Sequence, residues 1–142
     1  MPTTKESTIR QEGKSGTLGR LCKALADQNV NILAYQSSPA EKGKNAVRLV
    51  LDNPTAGKTI LDRQREDYTE TEVAQVKLAH RPGELARAAL RLGDAGVNIN
   101  YGYCGAEAET NAPILIIGVA DAAREHHRAG CRCGRSDLIP VP

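Results

Sequence analysis

Phenylalanine and tryptophan are absent from this chain, and tyrosine occurs only four times. Any core must therefore be packed with Leu, Ile, Val and Ala. A surface that stacks nucleobases on aromatic rings has almost nothing to build with, so nucleic acid is not an expected partner. No apolar run approaches the ~20 residues of a membrane span, which removes the membrane as well. Charge of one sign is also missing in excess: 19 basic against 17 acidic residues leave +2, too little for a general polyanion binder. The four cysteines (Cys22, Cys104, Cys131, Cys133) show no framework spacing in the body of the chain. Cys22 falls on an apolar helix face and reads as a small core residue. The opening Met1-Pro2-Thr3-Thr4-Lys5-Glu6 is polar with no apolar segment behind it. A secretory leader is not expected, and the expectation is a cytoplasmic protein with reduced thiols. What is present, 142 residues of which 40% are hydrophobic, suits one ordinary domain or two small ones and is too apolar for a disordered chain.

The chain repeats itself. Residues 16–32 and 83–99 align at a constant offset of 67, with Gly, Leu, Arg, Leu, Asp, Val, Asn and Ile shared, eight identities in seventeen positions. Ile9 lines up with Val76 upstream. Within each copy the apolar residues keep helical spacing: Leu18, Leu21, Cys22 and Leu25 in the first, Leu85, Ala88, Ala89 and Leu92 in the second. Asn29 and Gly96 suit the left-handed residue that ends a helix. Strands are expected before each helix (7–12 and 73–79) and after it, opening on Val-Asn-Ile, with strongly apolar strands at 46–51 and 114–119. Asn53-Pro54 opens a second helix in the first copy. Its counterpart is expected to open at Asp121 and end by Gly130. A strand near 68–71 closes the first unit.

The order β-α-β-β-α-β, read twice, predicts an α+β protein of two ferredoxin-like βαββαβ sandwiches in tandem, each an antiparallel sheet with helices on one face. The expected division is 1–71 and 72–142, with a weakly structured tail from about residue 130. One face of each sheet would be left bare, to be hidden by joining the two units or by a homodimer.

The repeated elements resemble the ACT domain, a small-molecule-sensing regulatory module. The second copy shows His80-Arg81-Pro82-Gly83-Glu84-Leu85 and Gly96-Val97-Asn98-Ile99; the first shows Gly13-Lys14-Ser15-Gly16-Thr17-Leu18 and Asn29-Val30-Asn31-Ile32. The resemblance covers residues 6 to about 130 and implies a protein that binds a free amino acid to regulate an attached or partner enzyme; for want of catalytic and cofactor motifs, neither enzymatic activity nor a cofactor is expected. It implies ligand contacts at the turn after the first strand and the start of the second strand: His80, Pro82, Gly83, Glu84, Leu85, Asn98 and Ile99 in the second copy, Gln11, Gly13, Ser15, Gly16, Asn31 and Ile32 in the first. The first copy departs from the pattern, with Ser15 in place of Pro and a more polar opening strand.

The chemistry suits the residues in their own right. A Gly-containing turn at a helix N-terminus offers bare N–H groups to a carboxylate. An Asn amide carries both a donor and an acceptor, so it can hold an ammonium or a carboxylate. Asn98 reads equally as a residue that merely ends a turn, and His80 as an exposed loop residue. Tyr101 and Tyr103 share a sheet face at period two and either floor a pocket or cover an interface.

Other constellations are weaker. Gly13-Lys14-Ser15 is like the end of a phosphate-binding loop, but Thr8 stands where that motif requires Gly. No Ser/His/Asp set, paired-carboxylate motif or cofactor fingerprint is present. His126-His127 with Cys131 and Cys133 is the one metal-like cluster, the alternative to a frayed tail. Besides the amino-acid sensor, two readings stand: a ligand-free interaction module of the same fold, and metal binding through that cluster.

Overall fold

The computed structural model describes residues 2–119 and the short strand His126–His127. Strand β1 (Thr3–Glu12) buries residues on both of its sides, Ile9 on one and Glu6 on the other. Helix α1 (Thr17–Asp27) starts on Gly16 at φ 85° and ends where Asn29, at φ 59°, lets the Val30 amide reach back to the Leu25 carbonyl. Strands β2 (Ile32–Pro39) and β3 (Lys44–Leu51) follow, joined by a short 3-10 turn over Glu41–Gly43. Helix α2 (Pro54–Arg63) is capped by the Asn53 side chain, which accepts from the Ala56 amide, with Pro54 in its first turn. Then come β4 (Asp67–Lys77), α3 (Glu84–Asp94), β5 (Ile99–Ala106), β6 (Pro113–Val119) and β7 (His126–His127).

These strands do not form two separate sandwiches, as the repeat predicts. They form a single closed antiparallel barrel of six strands, in the order β1-β3-β2-β5-β6-β4 with β4 returning to β1, accompanied by three helices. Two features force closure. The first is β4, one unbroken strand that pairs with β1 through Asp67–Ala74 and with β6 through Ala74–Lys77, so both repeats share it. The expected division between residues 71 and 72 falls inside this strand. The second is the seam between β2 and β5 at Ala34 and Gly105. A Cβ on Gly105 would lie 2.1 Å from the Leu33 carbonyl oxygen, so only a bare backbone lets the two strands meet there. β7 adds to β4 at Thr69 and Glu70. The helix expected over 121–130 lies outside the described residues, except that His126 and His127 are strand. The tail from about 130 also lies outside them.

The sheet faces expected to lie bare turn inward and cover each other. Ala34, Val50, Val73, Tyr103, Ile114 and Ile116 pack together in the barrel interior. Outside, α1 and α2 cover β1 and β3 over a cluster that includes Ile9, Leu25, Leu49, Ile60 and Leu61. α3 covers β4 and β6 through a smaller cluster of Leu92, Ala74, Leu115 and Ile117.

The interior also holds a charge. Glu6 is 1% exposed and accepts hydrogen bonds from the Tyr101 hydroxyl at 2.5 Å and the Tyr103 hydroxyl at 2.6 Å. The Arg48 guanidinium lies 4.3 Å over the Tyr101 ring, with Nε 3.9 Å from Glu6, and donates to Gln36 at 3.2 Å. A buried carboxylate is tolerated only with such partners. Tyr101 and Tyr103, stacked at 6.5 Å, thus belong to the barrel interior, where they tie β5 to β1. Tyr101 fits because Gly118 opposite it has no side chain: a Cβ there would come within 2.2 Å of the ring. Burial first, and the Glu6 carboxylate with it, hold both tyrosine hydroxyls above their ordinary pKa.

Candidate functional site

The two Gly turns are the same structure built twice. In the first, the Lys14 amide donates to the Glu12 carbonyl and the Thr17 amide to Lys14; in the second, Arg81 donates to Ala79 and Glu84 to Arg81. Gly16 and Gly83 stand at φ 85° and 89°, a conformation that costs a side chain dearly. From each of them the helix starts, with Arg20 donating to Gly16 and Arg87 to Gly83. Neither helix start is capped by a side chain. An uncapped first turn leaves backbone N–H groups directed outward, which suits a carboxylate.

The side chains around the turns differ. In the second, Glu84 accepts from Arg81 Nε at 2.8 Å and from Arg87 at 2.9 Å. The Arg81 hydrogen bond, helped by the charge of Arg87, holds the Glu84 carboxyl below its ordinary pKa. His80, Pro82 and Leu85 are exposed around it. In the first turn Gly13, Ser15 and Gly16 are exposed, and the Gly13 amide donates to the Gly43 carbonyl. A Cβ on Gly13 would meet that carbonyl oxygen at 2.8 Å. Gln11 is buried, its amide directed to Glu66 at 3.4 Å.

Within one repeat, the turn and the asparagine are far apart. Gly83 precedes α3 and Asn98 follows it, so the eleven-residue helix, about 16 Å long, lies between them. The strands give the same measure. Lys77, entering the turn, pairs with Ile114, whereas Ile99 pairs with Val119, five residues along β6 or about 17 Å.

Between repeats, turn and asparagine share an end of the barrel. Ala34, three residues after Asn31, pairs with Gly105, which pairs with Ile114 at the level of Lys77. Lys77 is further tied to Glu107 at 2.9 Å. The antiparallel seam thus carries Asn31 to the end that holds the turn 79–83, and Asn98 to the end that holds the turn 13–16. The Asn31 backbone is fixed by Asp52, which accepts from its amide at 2.9 Å and donates to its carbonyl at 3.0 Å. Asn98 donates to the Asn100 side chain at 3.3 Å. Ile32 packs against the first outer core, and Ile99 is 39% exposed.

Sequence reasoning missed the Arg81–Glu84–Arg87 cluster and the Glu6 interior. The first was signalled by opposite charges three residues apart around a helix start, the second by a Glu in the strand alternation opposite Ile9. Among the described residues no group of His, Cys, Asp and Glu could hold a metal ion; His126, His127, Cys131 and Cys133 have side chains outside them. Among the same residues no helix is long and apolar enough to cross a membrane.

No protein-family model and no curated protein matches the chain. Solved structures do. The fold is similar to that of protein BT0572 from Bacteroides thetaiotaomicron, at TM-score 0.72 and 25% identity, over 84% of this chain and 81% of that one. It is similar to the regulatory subunit of aspartate kinase from Thermus thermophilus, in its ligand-free form, at TM-score 0.53 and 15% identity, over 82% of each chain. The corresponding subunit from Thermus flavus matches at TM-score 0.50 and 14% identity, also over 82% of each. The chain therefore shares the fold of these regulatory subunits.

Proposed function

We propose that this protein is a regulatory, non-catalytic amino-acid sensor whose ligand sites lie at the two ends of the barrel. Each site pairs the Gly turn of one repeat with the asparagine of the other: turn 79–83 with Asn31, and turn 13–16 with Asn98. The observation that carries the reading is the bond-for-bond repetition of the two uncapped turns, at Gly16 and Gly83. The shared fold with regulatory subunits supports the same direction.

In this arrangement the first-turn N–H groups take the ligand carboxylate, and the asparagine amide accepts from the ammonium. His80 and Leu85 border the second turn and select the ligand side chain. Binding would shift a partner's equilibrium by favouring one of its states. The test is a thermal-shift series on the full chain against the twenty amino acids. One or two of them are expected to raise the unfolding temperature saturably. No rise with any at millimolar concentration would leave the interaction-module reading in its place.

A further inference from the structure

The two Gly turns carry the same charges at two of three equivalent places and differ at the third. At the repeat offset of 67, Lys14 corresponds to Arg81, Arg20 to Arg87, and Thr17 to Glu84. The backbone makes these places structurally equivalent as well. Thr17 donates to the Lys14 carbonyl at 3.4 Å and Glu84 to that of Arg81 at 3.5 Å; Arg20 donates to Gly16 at 3.0 Å and Arg87 to Gly83 at 2.9 Å.

In the second turn the two cations close on a carboxylate, with Arg81 2.8 Å and Arg87 2.9 Å from the two oxygens of Glu84. The first turn keeps both cations and lacks that carboxylate. Thr17 stands in its place, its Oγ1 enclosed and without a hydrogen-bond partner. Among the described residues, neither the Lys14 nor the Arg20 side chain has an ion-pair or hydrogen-bond partner. Glu12, two residues before Lys14, pairs through its backbone with Lys44 and engages neither cation. The Arg20 guanidinium folds back on the turn, with Nη1 3.1 Å from the place of a Cβ on Gly16; nothing lies within 4 Å of that place on Gly83.

Two cations held at one turn repel each other unless an anion lies between them. An enclosed hydroxyl without a partner adds a cost of its own. In the second turn Glu84 supplies the anion from within the chain. We propose that in the first turn a carboxylate of the ligand takes that place, between Lys14 and Arg20, and that the ligand there is an amino acid with an acidic side chain. The proposal rests on the amino-acid reading above. The first-turn N–H groups take the α-carboxylate, and the cation pair takes the side-chain carboxylate, which also accepts from the Thr17 hydroxyl. The two turns then differ in specificity: the second already holds a carboxylate of its own, which leaves it to a ligand without an acidic side chain.

The test is isothermal titration calorimetry of the full chain with L-aspartate, L-glutamate and their amides, L-asparagine and L-glutamine. One of the acids is expected to bind, with its amide about tenfold weaker or more, since the amide keeps the shape and loses the charge. Thr17→Glu gives the first turn the internal carboxylate of the second and is expected to abolish acid binding. Arg20→Gln, at an exposed position, is expected to weaken it by about tenfold or more, and decides the matter where Thr17→Glu fails to fold. Glu84→Thr frees Arg81 and Arg87 and is expected to add a second acid site per chain. Binding of other amino acids without the acids, or of an amide as tightly as its acid, overturns the proposal and leaves the sensor reading standing. So does acid binding that the first-turn substitutions leave unchanged, or a Glu84→Thr chain with no added acid site. Failure of all twenty amino acids to bind overturns the sensor reading and this proposal with it. Acid binding that appears only when residues 128–142 are removed, or only with Asp121→Asn and Glu125→Gln, assigns the place to a carboxylate of this chain and also overturns it.

Discussion

Leu18 and Leu85 occupy the same place in two copies of one pattern, yet Leu18 packs against the first outer core and Leu85 is 55% exposed. Ile32 and Ile99 differ in the same way, and the fully enclosed Leu21 is answered by the half-buried Ala88. Among the described residues the first repeat gathers ten buried residues into its outer cluster and the second four, and α2 has no described counterpart over β4. The eight shared residues thus record what both repeats need locally: a left-handed Gly to start a helix, a leucine on its inner face, an asparagine at the strand. They do not record how much of that face is covered. Inside the barrel the contrast vanishes, since Glu6 of the first repeat is held by Tyr101 and Tyr103 of the second.

That shared interior gives the largest expected effect. Glu6→Ala leaves the two tyrosine hydroxyls without their acceptor and the Arg48 charge without its ion-pair partner, and is expected to cost roughly 3–5 kcal/mol. Because its partners span both repeats, urea unfolding followed by circular dichroism should remain one transition at lower midpoint. Two separated transitions would show that the repeats are independent units after all. The outer cores should differ next: Leu25→Ala is expected to cost about 3–5 kcal/mol and Leu92→Ala about 2–3, both within the range for leucine truncation but unequal because the second cluster is thinner. Equal losses would mean that the α3 face is as well covered as the α1 face. At the rim, Leu18→Ala is expected to lose about 1 kcal/mol and Leu85→Ala less than about 0.5, as an exposed side chain should.

The subtlest effect is one of pH. Tyrosines in the unfolded chain release their protons near pH ~10, whereas Tyr101 and Tyr103 in the barrel hold theirs to higher pH. Above that point the native state binds more protons than the unfolded one, so stability, full below pH ~10, falls as pH rises. Tyr103→Phe should flatten this alkaline loss, and an unchanged slope would place the tyrosines outside the barrel's proton balance.

Much of this was legible from local rules. The helix over Thr17–Asp27 followed from leucine spacing, its end from Asn29, and the cap of α2 from Asn53-Pro54, each a matter of a few neighbouring residues. The turns that make up the candidate site were visible as a repeat. Closure of the barrel was not, since it depends on β4 running unbroken through two units and on one close approach at Gly105, which no periodicity encodes. Nor could spacing tell that an antiparallel seam carries Asn31 away from its own turn to that of the other repeat. The interior role of Tyr101 and Tyr103 was half visible: period two put them on one face, but which face closes on Glu6 is a long-range fact.

The pairing of each turn with the opposite asparagine is tested most directly by the side-chain amide signals of Asn31 and Asn98 in a nitrogen–proton correlation spectrum, recorded while titrating an amino acid that raises the unfolding temperature. Both signals are expected to shift in step with the backbone amides of the turn at their own end of the barrel: Asn31 with Gly83, Asn98 with Gly16. Turn amides that shift while both asparagine side chains stay unmoved would contradict the composite site.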